Sequence, residues 1–136
     1  MRQDFFNRTN PAWPSWEAII DSYQQLAETE PEWSSMIEFT QQIAKSRYCE
    51  GLCPGMSHAT LLIAQTPRFV RGREVLEIEF IKKERKLRFD FFESPDARTH
   101  WSRECEPAAA FALLEKLLWM KRWFLFSESI ENESEP

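Results

Sequence analysis

Cysteine and histidine side chains that can bind a metal lie close together in one short segment of the chain. Cys49, Cys53 and His58 are separated by three and four intervening residues, in a segment that also holds two of the three glycines. Structural zinc sites use cysteine and histidine pairs with short spacers, but the tight Cys-x2-Cys type is missing here. Cysteine is also among the residues most often buried for packing alone. We therefore expect no metal and no other cofactor, and keep Cys49, Cys53 and His58 as the candidate ligands should a metal bind.

A thiol paired with an imidazole could also act as a catalytic nucleophile. The possible pairs combine Cys49 or Cys53 with His58 or His100. No feature of the sequence marks either thiol as activated. The chain also lacks a Gly-x-Ser-x-Gly segment of the kind that exposes a catalytic serine. The sequence therefore does not favour nucleophilic catalysis.

Carboxylates for acid–base chemistry occur in the middle of a predicted strand pair. Glu77 and Glu79 share a strand face with Arg88 and Asp90. Acid–base catalysis needs such groups in a pocket that shifts their pKa values. The same alternation of charged and apolar residues is typical of the solvent face of a one-sided sheet. We expect the second arrangement, and hence a protein that is not an enzyme.

The charge balance argues against nucleic acid and membranes as partners. Asp and Glu number 22 against 17 Lys and Arg, which gives a net charge of −5. The basic residues of 68–73 and 82–86 fall at opposite ends of one predicted strand, whereas phosphate binding needs a contiguous basic surface. No stretch approaches the run of about 18 apolar residues that spans a bilayer, and the N-terminus does not resemble a signal peptide. With three cysteines, an odd number, we expect reduced thiols and a cytoplasmic protein.

A predicted helix over residues 107–126 is apolar on two sides. Its sheet-facing stripe consists of Leu113, Leu117, Met120 and Phe124, extended by Leu114 and Leu118. The opposite side carries charged Glu115, Lys116 and Arg122, and also Ala112, Trp119, Trp123 and Phe126. Trp119 and Trp123 stand four residues apart, so they are predicted to be neighbours on the helix surface. A helix that is apolar on both sides is usually buried on both sides.

Three different partners could bury the second apolar side of this helix. The first is intramolecular, by the N-terminal helices or by Phe5, Phe6 and Trp13 of the lead-in. The second is another copy of the chain, and the third is a different protein. Tryptophan and arginine are favoured at interface hot spots, which suits the second and third partners.

The elements that position these residues follow from hydrophobic periodicity. Helices are predicted from Ser15 to Ala27 and from Thr29 to about Lys45, and they form a hairpin. Strands are predicted over residues 60–65 and 99–105, on either side of a β-hairpin at residues 74–93. The order α-α-β-β-β-β-α indicates an antiparallel sheet of about four strands, packed by helices on one face.

The β-hairpin has a predicted register because one face must be apolar. Matching the two apolar rows pairs Phe80 with Leu87, Ile78 with Phe89, and Leu76 with Phe91. The same register places Glu79 opposite Arg88 as a favourable cross-strand pair. The connecting loop is then either Lys83-Glu84 or residues 82–85.

These observations predict one α+β domain at residues 1–126 and an acidic, disordered tail at residues 127–136. The function we expect is a non-enzymatic protein-interaction module that binds itself as a homodimer or binds another protein. Its predicted interface is Trp119, Arg122, Trp123 and Phe126. The alternative is a small enzyme or ligand-binding domain with an aromatic cavity between sheet and helices. That cavity would be lined by Phe80, Phe89, Phe91 and Trp101.

Overall fold

A computed structural model of the chain describes residues 14–65, 74–92 and 101–123 and confirms the predicted α+β fold. The α-helices are α1 (Trp16–Thr29), α2 (Ser34–Ala44) and α3 (Ala110–Lys121), and short 3-10 helices span Pro31–Trp33, Arg47–Glu50 and Pro107–Ala109. The strands are β1 (Cys53–Ser57), β2 (Thr60–Ala64), β3 (Val75–Ile81), β4 (Lys86–Phe92) and β5 (Trp101–Cys105). The predicted tail at residues 127–136, the lead-in residues Phe5, Phe6 and Trp13, and His100 lie outside the described residues.

The N-terminal helical hairpin begins at its predicted cap, but α1 continues through Thr29, the residue at which the second helix was predicted to begin. The Ser15 hydroxyl caps α1 by accepting a hydrogen bond from the Ala18 N–H at 3.1 Å. Pro31 opens the following 3-10 turn, where its missing N–H costs nothing. Both helices bury one side, with Ile19 and Tyr23 of α1 in the core. The buried residues of α2 are Met36, Phe39, Thr40 and Ile43.

The five strands pair in sequence order as an antiparallel meander. The hairpin of β3 and β4 has the predicted register, with Phe80 opposite Leu87 and Glu79 opposite Arg88. The Arg88 guanidinium donates to the Glu79 carboxylate at 2.7 Å. Ile81 pairs with Lys86, so the loop is the longer of the two alternatives, residues 82–85.

The prediction of a loop over residues 48–58 was wrong in part, because Cys53–Ser57 forms the extra strand β1. A two-residue turn joins β1 to β2 through His58 and Ala59, whose φ angles are 51° and 70°. Such turns normally carry glycine or asparagine, so the sequence lacked the usual hairpin signal. The buried Tyr23 hydroxyl donates to the Ala59 carbonyl at 2.9 Å and ties this turn to α1. Burial also raises the pKa of the Tyr23 hydroxyl, which keeps its proton available for that bond.

The helices share a single core with one face of the sheet. In β3 and β4 every second residue is buried, as expected for a sheet covered on that face. Leu76, Ile78, Leu87, Phe89 and Phe91 contribute to a cluster that also includes residues of all three α-helices. The sheet is thus the platform on which α3 lies, and the position of α3 determines which of its residues reach solvent.

Candidate functional site

The last helix ends at Lys121, five residues before its predicted end. Arg122 takes a left-handed conformation with φ 60°. Its N–H donates to the Trp119 carbonyl at 3.3 Å, and the Trp123 N–H donates to the Leu118 carbonyl at 3.0 Å. These two bonds are those of a Schellman motif, which terminates a helix and turns the chain inward. Residues 124–136, among them Phe124 and the predicted interface residue Phe126, lie outside the described residues.

The early end of the helix removes Trp123 from the surface. Trp123 is 2% exposed, its Nε1 donates to Glu74 Oε1 at 2.7 Å, and its ring lies 5.7 Å from that of Phe91. The prediction that Trp119 and Trp123 are neighbours on one helical face was therefore wrong. No local sequence pattern indicates this helix end, since a Schellman motif usually has glycine where this chain has Arg122.

The rotation of α3 also differs from the predicted one. The residues that it buries are Ala110, Leu114, Leu117 and Leu118. Met120, predicted to face the sheet, is 51% exposed instead. Side contacts fix this rotation, because the Tyr48 hydroxyl donates to Glu115 Oε2 at 2.8 Å and the Tyr48 ring lies 6.3 Å from that of Phe111.

An exposed and mainly apolar face results on the outer side of α3. We define the α3 face as Ala112, Lys116, Trp119 and Met120 of α3 together with Ala109, which ends the preceding 3-10 helix; all five are exposed. At 3.6 residues per turn the four residues of α3 project within an arc of about 100°. Trp119 is 54% exposed, and it and Met120 are the large apolar side chains most open to solvent in the described part of the chain. The expectation that this helix is apolar on two sides is thus met with a different set of residues.

The candidate metal ligands are not brought together. Cys49 lies in the 3-10 helix Arg47–Glu50, Cys53 begins β1, and His58 follows its last residue. A five-residue strand separates the last two by roughly 16 Å at about 3.3 Å per residue. Within residues 14–65, 74–92 and 101–123, no group of three or more His, Cys, Asp or Glu side chains could hold a metal ion.

The candidate nucleophiles are in environments that oppose thiolate formation. Burial and the neighbouring Glu50 raise the pKa of the Cys49 thiol, and burial raises the pKa of the Cys53 thiol. The pKa of the Cys105 thiol is raised by burial and by Glu106. All three are free cysteines. Because the thiolate is the reactive form, raised pKa values make these thiols less reactive than free cysteine at neutral pH.

We therefore expect slow alkylation of all three thiols in the folded protein. At pH 8 the rate with iodoacetamide should be roughly tenfold lower than in urea, where each thiol regains an ordinary pKa near 8.5. The folded-state rate should still be rising above pH 9, since the thiolate forms only above the raised pKa. Mass spectrometry of timed samples would measure both. One thiol reacting faster when folded would identify an activated nucleophile and contradict the expectation.

The aromatic residues predicted to line a cavity form the packed core instead. Phe89 and Phe91 are both 0% exposed, so neither lines an opening to solvent. The Phe89 ring meets that of Phe39 edge-on at 5.9 Å, and the Phe80 ring lies 5.2 Å from that of Trp33. Trp101, at the edge of the sheet, is partly buried, with the Arg103 guanidinium 5.4 Å from its ring.

An open cleft lies beside one of these residues, between the start of α2 and the loop after β3. Its volume is about 410 Å³, and it is lined by Pro31, Glu32, Ser34, Ser35, Phe80 and Arg85. Sequence analysis missed it because its polar members lie in two elements that meet only in the folded chain. Four of its six lining residues are polar, among them one cation and one carboxylate, and such groups can bind a small polar molecule.

The remaining surface features give no further site. No helix in the described ranges is both long and apolar enough to cross a membrane. On the sheet face away from the helices, Arg88, Glu79, Asp90 and Ser102 satisfy one another through hydrogen bonds of 2.7–3.1 Å.

Comparison of the chain with family models, with curated proteins and with solved structures finds no significant match.

Proposed function

We propose that the chain is a non-enzymatic protein-interaction module, which binds a second copy of itself or another protein through the α3 face. The observation that carries the proposal is the exposure of Trp119 and Met120, 54% and 51%, on a helix whose other side is fully packed. A tryptophan side chain offers on the order of 200 Å² of surface for burial. Covering these two side chains would remove a substantial apolar area from water.

The chemistry of the α3 face suits a polypeptide better than other partners. Its single charge is that of Lys116, so it does not provide the row of cations that phosphate groups require. Ala109 and Ala112 have small side chains, so the backbone of another polypeptide can approach the first half of the α3 face closely. Tryptophan is enriched among the residues that dominate binding energy at protein interfaces.

A role without catalysis is supported by the state of the candidate nucleophiles. The raised pKa values of Cys49 and Cys53 do not favour a thiolate. Three free thiols are in keeping with a reducing compartment, and we propose that the module acts in the cytoplasm.

A ligand-binding role is the alternative, and one observation favours it. The cleft beside Phe80 has a volume of about 410 Å³, within the range of small-molecule sites of about 300–1,000 Å³. Arg85 and Glu32 lie on its wall and could bind opposite charges of one small molecule. The protein as purified would then carry a bound compound.

A native mass spectrum of the purified protein separates the two functions. The interaction module predicts assemblies above the monomer mass and no additional bound mass. A monomer that carries a compound, released on denaturation, would favour the cleft over the α3 face. A bare monomer that also captures no protein partner would overturn the interaction module.

Replacing Trp119 with serine should weaken assembly without affecting the fold. Loss of a hot-spot side chain raises a dissociation constant by roughly 30-fold or more. Because Trp119 is only partly packed, its replacement should lower the free energy of unfolding by less than half of the about 3–5 kcal/mol expected for a fully buried tryptophan. Gln24→Ser, exposed on α1, is the matched control and should change neither quantity. Equal dissociation constants for Trp119→Ser and the control would show that the α3 face is not the interface.

A further inference from the structure

Building on the proposed function, we infer that the partner of the α3 face is a second copy of this chain, docked with the two α3 helices antiparallel. The α3 face is graded in two properties along its length, side-chain size and flanking charge. In an antiparallel pair, each end of the face meets the opposite end of its copy. The end with small side chains then meets the end with large ones, and the acidic end meets the basic end, through the same residues in both copies.

The gradient of size runs from small to large. Ala109 and Ala112 occupy the first half of the face, and Trp119 and Met120 occupy the second half. An antiparallel pair places Trp119 and Met120 of one copy over Ala109 of the other, and Lys116 over Ala112. A parallel pair would stack large on large and leave a gap between the alanines, which forfeits contact.

The gradient of charge runs from acidic to basic. Glu106 is exposed immediately before the 3-10 turn that leads into α3, and Arg122 is exposed immediately after α3. Neither forms an ion pair within the described part of the chain. In an antiparallel pair the acidic end of each helix lies beside the basic end of the other, which gives charge complementarity across the interface.

One two-fold axis satisfies all of these contacts. The pairs Ala109 with Met120, Ala112 with Lys116 and Glu106 with Arg122 each have their midpoint at the level of residues 114 and 115. A two-fold interface requires such reciprocity, because each residue must meet in its copy the residue that meets it. Lys116 falls opposite Ala112, which leaves room for its alkyl stem to pack while its ammonium reaches solvent.

The size of the face limits the strength of the dimer. Only about half of each Trp119 and Met120 side chain is available for burial. With the alanines, the pair buries less than about 1,200 Å² in total, which is typical of weak and transient interfaces. We therefore expect a dissociation constant of roughly 1–100 µM, so that monomer and dimer coexist at accessible concentrations.

The test is a charge-reversal cycle measured by analytical ultracentrifugation. Glu106→Lys and Arg122→Glu should each raise the dissociation constant by roughly tenfold at low salt, because each creates two like-charge contacts across the axis. The double variant should return to within about threefold of the wild type. These differences should shrink at high salt, where exposed charges are screened. Glu28→Lys, exposed on α1, is the matched control.

A cross-linking measurement tests the same geometry without relying on charge. In a background where the three cysteines are replaced by serine, Ala109→Cys should not cross-link to itself with a short reagent, because the two copies of position 109 lie about 16 Å apart along the axis. A mixture of Ala109→Cys and Met120→Cys chains should cross-link readily. Cross-linking of Ala109→Cys to itself would indicate parallel helices and overturn the inference.

The outcomes separate this inference from the proposed function beneath it. If Trp119→Ser weakens the dimer but the effects of the two charge reversals add in the double variant, the α3 face is the interface and the antiparallel arrangement is wrong. A wild type that stays monomeric at several hundred micromolar, well above the expected range, rejects the second copy as partner. In that case, loss of another protein's binding in Trp119→Ser would still support the proposed function.

Discussion

Trp123→Ala is expected to lower the free energy of unfolding by about 3–5 kcal/mol, the range for a fully buried tryptophan. The side chain is 2% exposed and its ring lies 5.7 Å from that of Phe91 on β4. Its removal would leave a cavity under the end of α3 and deprive Glu74 of the indole donor at 2.7 Å. Globular domains are stable by only about 5–15 kcal/mol, so the variant should unfold at clearly lower urea concentration.

Trp119→Ala is the matched control, because the same change is made four positions earlier on the other side of the helix end. Trp119 is 54% exposed, so its loss should lower the free energy of unfolding by less than half of the value expected at Trp123. The two variants should differ in their main effect, which is on stability at Trp123 and on assembly at Trp119. A Trp123 variant that kept wild-type stability but changed its oligomeric mass would return this residue to the interface.

A gentler substitution at the same site separates packing from hydrogen bonding. Trp123→Phe keeps most of the ring but cannot donate to Glu74. Because Glu74 is itself only partly buried, water can replace the lost donor, and the cost should be toward the low end of about 1–3 kcal/mol. Comparing the two variants divides the loss in the free energy of unfolding of Trp123→Ala into a hydrogen-bonding part and a packing part.

The alternating pattern of the central hairpin was enough to predict its register. In β3 and β4 a shift of one residue would move every apolar side chain to the solvent face, so a single register agrees with burial. The structure has that register from Val75 opposite Phe92 to Ile81 opposite Lys86. The loop of residues 82–85 ends in Arg85 at φ 55°, a conformation that is not typical of arginine and was not predicted.

Two of the missed features, the β1–β2 turn and the early end of α3, share one physical cause, which is the use of ordinary residues at positive φ. The β1–β2 turn has His58 and Ala59 where glycine is usual, and the end of α3 has Arg122. Left-handed backbone costs a non-glycine residue about 1–2 kcal/mol, and this must be offset by contacts elsewhere. Tyr23 donates to the Ala59 carbonyl, and Trp123, next to Arg122, packs against Phe91. Tyr23 and Phe91 are distant in the sequence from the turns that they stabilise, so no local pattern contains these contacts.

The candidate site could be predicted as an element but not as a set of residues. Composition and spacing indicated that the last helix carries more apolar surface than one contact with a sheet needs. Which residues remain exposed depends on the rotation of the helix, and that is fixed by Tyr48 through Phe111 and Glu115. Tyr48 lies more than sixty residues earlier in the chain, so no local pattern contains this information.

The second large effect is expected at Phe89, where alanine should lower the free energy of unfolding by about 3–5 kcal/mol. Phe89 is 0% exposed, pairs with Ile78 across β3 and meets the Phe39 ring edge-on at 5.9 Å. Residues from both layers of the fold therefore surround it, and neither layer can collapse into the vacated space without moving the other. Urea denaturation followed by circular dichroism measures the loss.

Phe89→Leu provides the control for side-chain volume, and Trp101→Ala the control for position. Leucine fills most of the same space, so its cost should stay below about 1.5 kcal/mol. Trp101 lies at the sheet edge and is only partly buried, so its loss should cost less than half of the Phe89 value. A Phe89→Ala variant as stable as the wild type would mean that the ring faces an open space. The aromatic cavity of the alternative function would then lie at Phe89, because the loss of a ring from a packed core always lowers the free energy of unfolding.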